Sequence, residues 1–316
     1  MNVFIVGAGA VGSAAAYEIS RAGYSQVYLY DIDSGLARGR TMDIRQALEY
    51  PQAIEHSPDY SHLPGADLIV VTAGSARQKG MTRADLASKN IAIVSSVTEH
   101  IAELSPGTPI LIVTNPTEAL VYHLKHRWPA LNVFGFGCSL DQWRYRHFVA
   151  DALNCSTARV RAMVFGMHND AMIPLSRLAS VDGVPLEAIL AAEEIRQIEQ
   201  QTRTAGTDIV NALGTHSGFV AAGRAIAELV GSFNSENGGF YPLSLMADGA
   251  YGIEDACLAL PSHVSRAGIR PLDLALTASE LAKLRACAAQ VREAVQPTAA
   301  GNAGPTDAAT GVAAAS

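Results

Sequence analysis

The run Gly7-Ala8-Gly9-Ala10-Val11-Gly12 sits directly after the apolar stretch Val3–Val6 and ahead of an alanine-rich segment, and nothing else constrains this chain's fold as strongly. A strand that ends on glycines and turns at once into a helix opens a βαβ unit. Gly7 permits the tight turn, Gly9 lets the backbone approach a pyrophosphate, and Gly12 allows close helix–strand packing. The N–H groups of the first helical turn, around Ala8, Ala10 and Val11, then face an anion. A turn without a ligand would use the same glycines, so the second strand decides. It ends at Asp31, about 20 residues on, where a carboxylate accepts hydrogen bonds from ribose hydroxyls. Asp33 adds a negative charge that repels the 2′-phosphate of NADP. NAD is the expected cofactor.

Apolar runs Val3–Val6, Val27–Tyr30, Leu68–Val71, Ile110–Val113 and Val133–Phe136 alternate with helical patterns. Continuous apolar strands separated by helices imply parallel pairing with both faces covered. Leu86, Asn90, Ile91, Val94, Val97, Ile101 and Leu104 recur at helical spacing, with Thr82 and Asp85 spaced as a capping box. Residues 1–139 are therefore read as a Rossmann-type, doubly wound parallel sheet. Residues 140–296 read as an α+β substrate domain, with a helix over 140–153, a strand over 160–165, a helical series over 186–203 and a final helix over 279–295 opened by Thr277 and Glu280. After Pro297 the chain is mostly Ala, Gly, Thr and Asn with few large apolar groups and no periodicity, and residues 297–316 are expected to be disordered.

Several classes are excluded by bulk properties. A chain of 316 residues with 49% hydrophobic and 17% charged residues has a globular balance. The net charge of −7 argues against nucleic acid or an anionic membrane as partner. No apolar stretch reaches the roughly 18 residues needed to span a bilayer, and the N-terminus reads as a strand, not a signal peptide. Cys138, Cys155, Cys257 and Cys287 lack metal spacing, so reduced thiols in a cytoplasmic protein and no metal are expected.

Chemistry concentrates in four places. The loop Thr72-Ala73-Gly74-Ser75-Ala76-Arg77-Gln78-Lys79-Gly80-Met81-Thr82-Arg83 combines cations with small residues beyond a strand end, and reads as an anion-seeking lid. Val113-Thr114-Asn115-Pro116 ends another strand with an orienting amide. Asp141 and Arg144 lie three apart on one helical face, a spacing that also suits a surface ion pair. His168, in Gly166-Met167-His168-Asn169-Asp170, is the one histidine just beyond an apolar strand with Gly and Asp nearby.

In this order and spacing, GAGAVG, VTAGSARQKGMTR, VTNP, LDQWR and GMHND resemble the lactate/malate dehydrogenase family over about residues 1–295. The resemblance implies His168 as general acid/base toward the substrate C2 oxygen and Asp141 as the carboxylate that holds its imidazole. It implies Arg144 on the C1 carboxylate, Arg83 on the C2 carbonyl, and Asn115 between substrate and nicotinamide ribose. Thr72, Ala73, Gly74, Asn90, Val113 and Thr114 become further NAD contacts, and Ser217 and Gly218 line the substrate. Arg77 stands where lactate enzymes carry Gln. A buried cation there needs a second anion, which implies a small 2-oxo/2-hydroxy dicarboxylate, most simply oxaloacetate and malate. The resemblance also implies a homodimer or homotetramer.

Three positions depart from the family pattern. Asn169 stands where the family usually has glycine, a change to the backbone beside the site that asparagine's tolerance of left-handed geometry lets the turn survive. Trp143 either fills an inter-subunit groove or crowds a pocket, and Gly218 leaves room for a bulkier group, so a reductase of another 2-oxo acid, lactate-type or bearing a sulfonate or phosphonate, is the alternative. An NAD-dependent glycosidase would want a Cys/His metal cluster, which the sequence lacks. A non-catalytic NAD-binding protein would have no use for the Asp141/His168 pair.

Overall fold

The structure, a computed structural model, describes residues 1–75, 83–214 and 217–299, without the side chains of 83, 84 and 296–299. In chain order the elements are β1 (Asn2–Val6), α1 (Ala10–Arg21), β2 (Gln26–Tyr30), α2 (Ser34–Ala47), β3 (Ile54–His56), β4 (Leu68–Val71), α3 (Arg83–Leu104), β5 (Ile110–Ile112), α4 (Thr117–Arg127), β6 (Val133–Gly135) and α5 (Ser139–Ala152). There follow β7 (Val160–Arg161), β8 (Val164–Phe165), β9 (Ile173–Pro174), β10 (Ser180–Val181), β11 (Val184–Pro185), α6 (Ala192–Leu213), α7 (Val220–Phe233), β12 (Gly239–Met246), β13 (Cys257–Ser265), β14 (Gly268–Pro271) and α8 (Ala278–Ala299).

Six parallel strands run in the order β3-β2-β1-β4-β5-β6, the Rossmann arrangement expected of the apolar runs. Strand periodicity explains why β1 is apolar throughout. Val3 and Ile5 face a core shared with α1, α2 and α7, while Phe4 and Val6 face the core under α3 and α4. All four are at most 2% exposed, and burying each such side chain contributes about 1.5–3 kcal/mol. The crevice between β1 and β4, where the strand order reverses, is where ligands bind in such sheets.

The second half does not stand apart. β12, β13 and β14 extend the same sheet antiparallel, joining β6 where Ser244 pairs with Gly135. Helix α7 packs against α1 so closely that a Cβ on Gly223 would sit 2.6 Å from Ala14 Cβ. The stretch 160–165, expected as one strand, is two: β7 pairs with β10, and β8 pairs with β9 in a different sheet. The helical series expected from 186 begins at Ala192, because Leu186–Ala188 forms a 3-10 turn and Glu194 accepts the Ala191 N–H at 2.7 Å. It runs on to Gly214, which ends it at φ +72°. Thr277 and Glu280 do form the expected reciprocal cap, each accepting the other's backbone N–H, at 3.2 and 2.8 Å. Backbone helicity continues through Pro297 to Ala299, past the end expected from sequence; residues 300–316 and Thr82 lie outside the described residues. Among the described residues no helix is long and apolar enough to cross a membrane.

Candidate active site

The glycine turn is shaped by contact on two sides and open on the third. Gly7 has φ +109°, and a Cβ there would lie 2.7 Å from Thr72 Oγ1 and Ala73 N. At Gly12 a Cβ would lie 1.9 Å from the Gly7 carbonyl oxygen. At Gly9, the N-cap of α1, it would meet nothing within 4 Å, and no side chain caps the helix. Ala10 and Val11 begin the helix there, so its first N–H groups and positive dipole end face an open cradle. Asp31 serves this turn directly: its Oδ2 accepts the Ala8 N–H at 2.6 Å and its Oδ1 the Asp33 N–H at 3.0 Å. A carboxylate has lone pairs beyond these two, so Asp31 shapes the turn and still presents an acceptor at the end of β2. These residues fit an adenine dinucleotide with its pyrophosphate at Gly9.

The facing wall is made by the ends of β4 and β5. Thr72 Oγ1 donates to the Gly7 carbonyl at 3.0 Å, and Thr114 Oγ1 donates to the Ala73 carbonyl at 2.8 Å. Gly74 allows this approach, since a Cβ on it would fall 2.5 Å from Thr114 Cγ2. Asn90, expected as a cofactor contact, is buried and engaged with protein. Its Oδ1 accepts the Ser75 N–H at 2.7 Å, and its Nδ2 donates to the carbonyls of Asn115 at 2.7 Å and Ser75 at 3.3 Å. It ties the two strand-end loops together. Beyond Val113 and Thr114, Asn115 is exposed at the crevice, with Oδ1 accepting from Thr117 Oγ1 at 3.1 Å.

Asp141 and His168, far apart in sequence, meet. Asp141 lies in the first turn of α5 with no exposed surface, and its Oδ2 is 2.5 Å from His168 Nδ1. Its other oxygen accepts from Arg144 Nη1 at 3.1 Å, so the carboxylate bridges an imidazole and a guanidinium. Arg144 has room because Gly206 of α6 faces it, and its Nε is buried without a partner among the described residues. The His168 side chain keeps 22% of its surface exposed. The charge of Asp141 raises the His168 pKa above the ordinary value. Burial opposes this, the Asp141 hydrogen bond and Glu118 add to it, and Arg144 counters it. With Nδ1 held by the carboxylate, Nε2 is the nitrogen left to exchange a proton with a ligand.

The sequence reading missed Glu118 and Ser244. Glu118, 4% exposed, accepts the His168 backbone N–H at 3.3 Å and the Ser244 hydroxyl at 3.0 Å. The available signal was an acid on a first helical turn just after VTNP, where a solvated position was the ordinary reading. Asn169 does not take a left-handed backbone; the positive φ is at Gly166, and Asn169 Oδ1 accepts the Ala171 N–H at 2.8 Å. Trp143 packs against the α1/α7 core with the guanidinium groups of Arg146 and Arg224 over its ring, at 4.8 and 5.6 Å. Gly218 packs on Ile209, a Cβ there falling 3.0 Å from Ile209 Cγ2, one turn along α6 from Gly206. Ser217 adjoins it at the approach to α7. Arg77 and the Arg83 side chain lie outside the described residues. Among the described residues no group of three or more His, Cys, Asp or Glu side chains could hold a metal.

A crevice that receives a dinucleotide at one end and presents a carboxylate-held imidazole at the other belongs to a nucleotide-dependent dehydrogenase. The comparisons with known proteins narrow the class. Residues 1–135 match the NAD-binding domain of lactate/malate dehydrogenase, and residues 138–301 match its alpha/beta C-terminal domain. This chain belongs to the lactate/malate dehydrogenase family, and its cofactor is NAD. A malate dehydrogenase of Thermomicrobium roseum is 38% identical over 93% of this chain and 97% of its own length. The apo malate dehydrogenase of Picrophilus torridus superposes with a TM-score of 0.85 at 33% identity, covering 95% of this chain and 97% of that one. The lactate dehydrogenase of Eimeria maxima with NADH and oxamate has a TM-score of 0.88 at 28% identity, covering 96% and 95%.

Proposed function

We propose that this chain interconverts (S)-malate and oxaloacetate with NAD, using His168 as the acid/base. The observation that carries the reading is the 2.5 Å pairing of His168 Nδ1 with the buried Asp141, which orients the ring and favours its charged form. NAD, when bound, supplies or receives the hydride. In reduction His168 delivers the Nε2 proton to the C2 oxygen as that carbon gains hydrogen, and in oxidation it takes the proton back. Asp141 holds the ring by Nδ1 and favours the imidazolium. Arg144 holds one carboxylate, for which its unpartnered Nε supports a role. Asn115 positions the substrate between His168 and the cofactor. Arg83 polarises the carbonyl and Arg77 receives the second carboxylate; relatives named malate dehydrogenase support that dicarboxylate reading.

The test follows NADH consumption with a panel of 2-oxo acids, where oxaloacetate is expected to lead. Faster turnover of pyruvate refutes the malate reading and favours the lactate one, and Arg77→Gln should move preference toward pyruvate. We assign residues 1–139 to cofactor binding and 140–296 to substrate. We further assign a homodimer or homotetramer, a reading supported by the exposed Val220 and Phe240, 70% and 58% accessible, and checked by light scattering; a cytoplasmic location is assigned from cysteines without metal spacing, read as reduced thiols.

A further inference from the structure

A second buried carboxylate stands beside His168, and its surroundings are too specific for a filler of the core. Ser244 of β12, fully buried, pairs in register with Gly135 of β6 on one side and Ala259 of β13 on the other. Ala259 exchanges two backbone hydrogen bonds of 2.8 Å with Gly166, two residues before His168. One row across the sheet thus runs from β6 to the histidine loop. Glu118 closes it from the helix side, its Oε1 accepting from Ser244 Oγ and from the His168 N–H. Room for this is made at two glycines. A Cβ on Gly135 would lie 2.3 Å from Thr117 Cγ2 and 2.7 Å from Ser244 Cβ, and one on Gly137 would lie 2.6 Å from Ser244 Oγ.

We propose that Glu118 is a positioning residue for His168, fixing the histidine loop to the end of β5 and adding a second negative charge beside the ring. The inference rests on His168 being the acid/base. Burying a carboxylate is costly without donors, and here two donors and the N-terminus of α4 offset that cost. Because Glu118 lies three residues after Asn115, one side chain sets the spacing between the substrate amide and the proton carrier. Among the described residues the charged groups facing His168 are Asp141 and Arg144 from α5 and Glu118 from α4. The nearby thiols do not compete: burial first, then Asp141 and Glu118 for Cys138 and Glu118 for the other two, push Cys138 and Cys257 well up and Cys287 to about 11, so all three stay neutral.

Glu118→Gln keeps an oxygen for both donors and removes only the charge. The expected result is a pH midpoint for oxaloacetate reduction lowered by about half a unit or more, since an adjacent opposite charge favours the ionised ring. A kcat loss of roughly three- to tenfold, with KM within about twofold, should accompany it, as for an interaction made in the transition state. Glu118→Asp restores the charge and should recover most of the midpoint while kcat stays low. A Glu118→Gln enzyme with wild-type kcat and a midpoint within about 0.2 units overturns the proposal. Should that variant not fold, Ser244→Ala, which frees the carboxylate from one anchor, must lower kcat, and wild-type kcat there overturns it equally. His168→Ala is the control: if it retains activity, the reading of His168 fails, whatever Glu118 does.

Discussion

Asp141→Asn removes a charge from the centre of the site while leaving its volume almost unchanged. Asp141 is fully buried and contacts the His168 ring at 2.5 Å and the Arg144 guanidinium at 3.1 Å. A hydrogen bond to a charged group contributes about 1.5–3 kcal/mol, which at 1.36 kcal/mol per unit lowers the His168 pKa by roughly one to two units. The amide can also donate its N–H to Nδ1, which keeps the neutral ring's proton on Nε2 and leaves that nitrogen unable to accept the alcohol proton in oxidation. Loss of a positioned acid/base costs about 10²- to 10⁴-fold in rate. Stability should fall by only about 1–3 kcal/mol, below the cost of opening a fully buried pair, because both partners retain some solvent contact. The assay is the pH profile of oxaloacetate reduction beside urea unfolding. A midpoint moved by less than about 0.3 units, with kcat within about threefold of wild type, would refute the electrostatic reasoning.

Two glycines predict opposite outcomes. Gly9→Ala faces open space, so its melting temperature should match wild type while NADH affinity, read by fluorescence titration, drops about tenfold or more as the methyl blocks the pyrophosphate. Gly12→Ala collides with the Gly7 carbonyl and should cost about 1–3 kcal/mol in urea unfolding; a stable Gly12→Ala that binds NADH normally contradicts the packing described. The raised pKa of His168 fixes the sign of a stability profile. The pairing with Asp141 stabilises the fold fully below the unfolded histidine pKa of about 6.5, and this contribution is lost as pH rises through the higher folded value. The melting advantage of wild type over His168→Asn should therefore shrink between neutral and alkaline pH, and an advantage that grows there contradicts the assignment.

The parallel half was legible because its strands are buried on both faces and read as unbroken apolar runs. β3 was not, being three residues long at the sheet edge. β12 and β13 escaped for a different reason: Pro242 and Pro261 face each other in register, and prolines within a run argue against a strand. Ser244 and Ser262, both fully buried, broke the apolar signal further. Asp141 and His168 were recognisable by their motifs. Glu118 was not, because its partners come from a strand pairing that the prolines concealed. Asn90 was singled out, but its protein partners were not, since nothing local to it reveals that Ser75 and Asn115 converge on its amide.

The seam where Ser244 meets Gly135 bears on recombination between relatives. A chimera joining the nucleotide half of one member to the substrate half of another must cut somewhere between β6 and α5, yet the three strands β12–β14 return to complete the donor's sheet. Crossovers that respect chain order therefore still exchange sheet neighbours. Only pairs of parents that keep a small residue opposite the β12 serine, and a glycine on α7 where it crosses α1, should yield soluble hybrids. In this architecture the unit of inheritance is the sheet, and not the half of the chain that precedes or follows its midpoint.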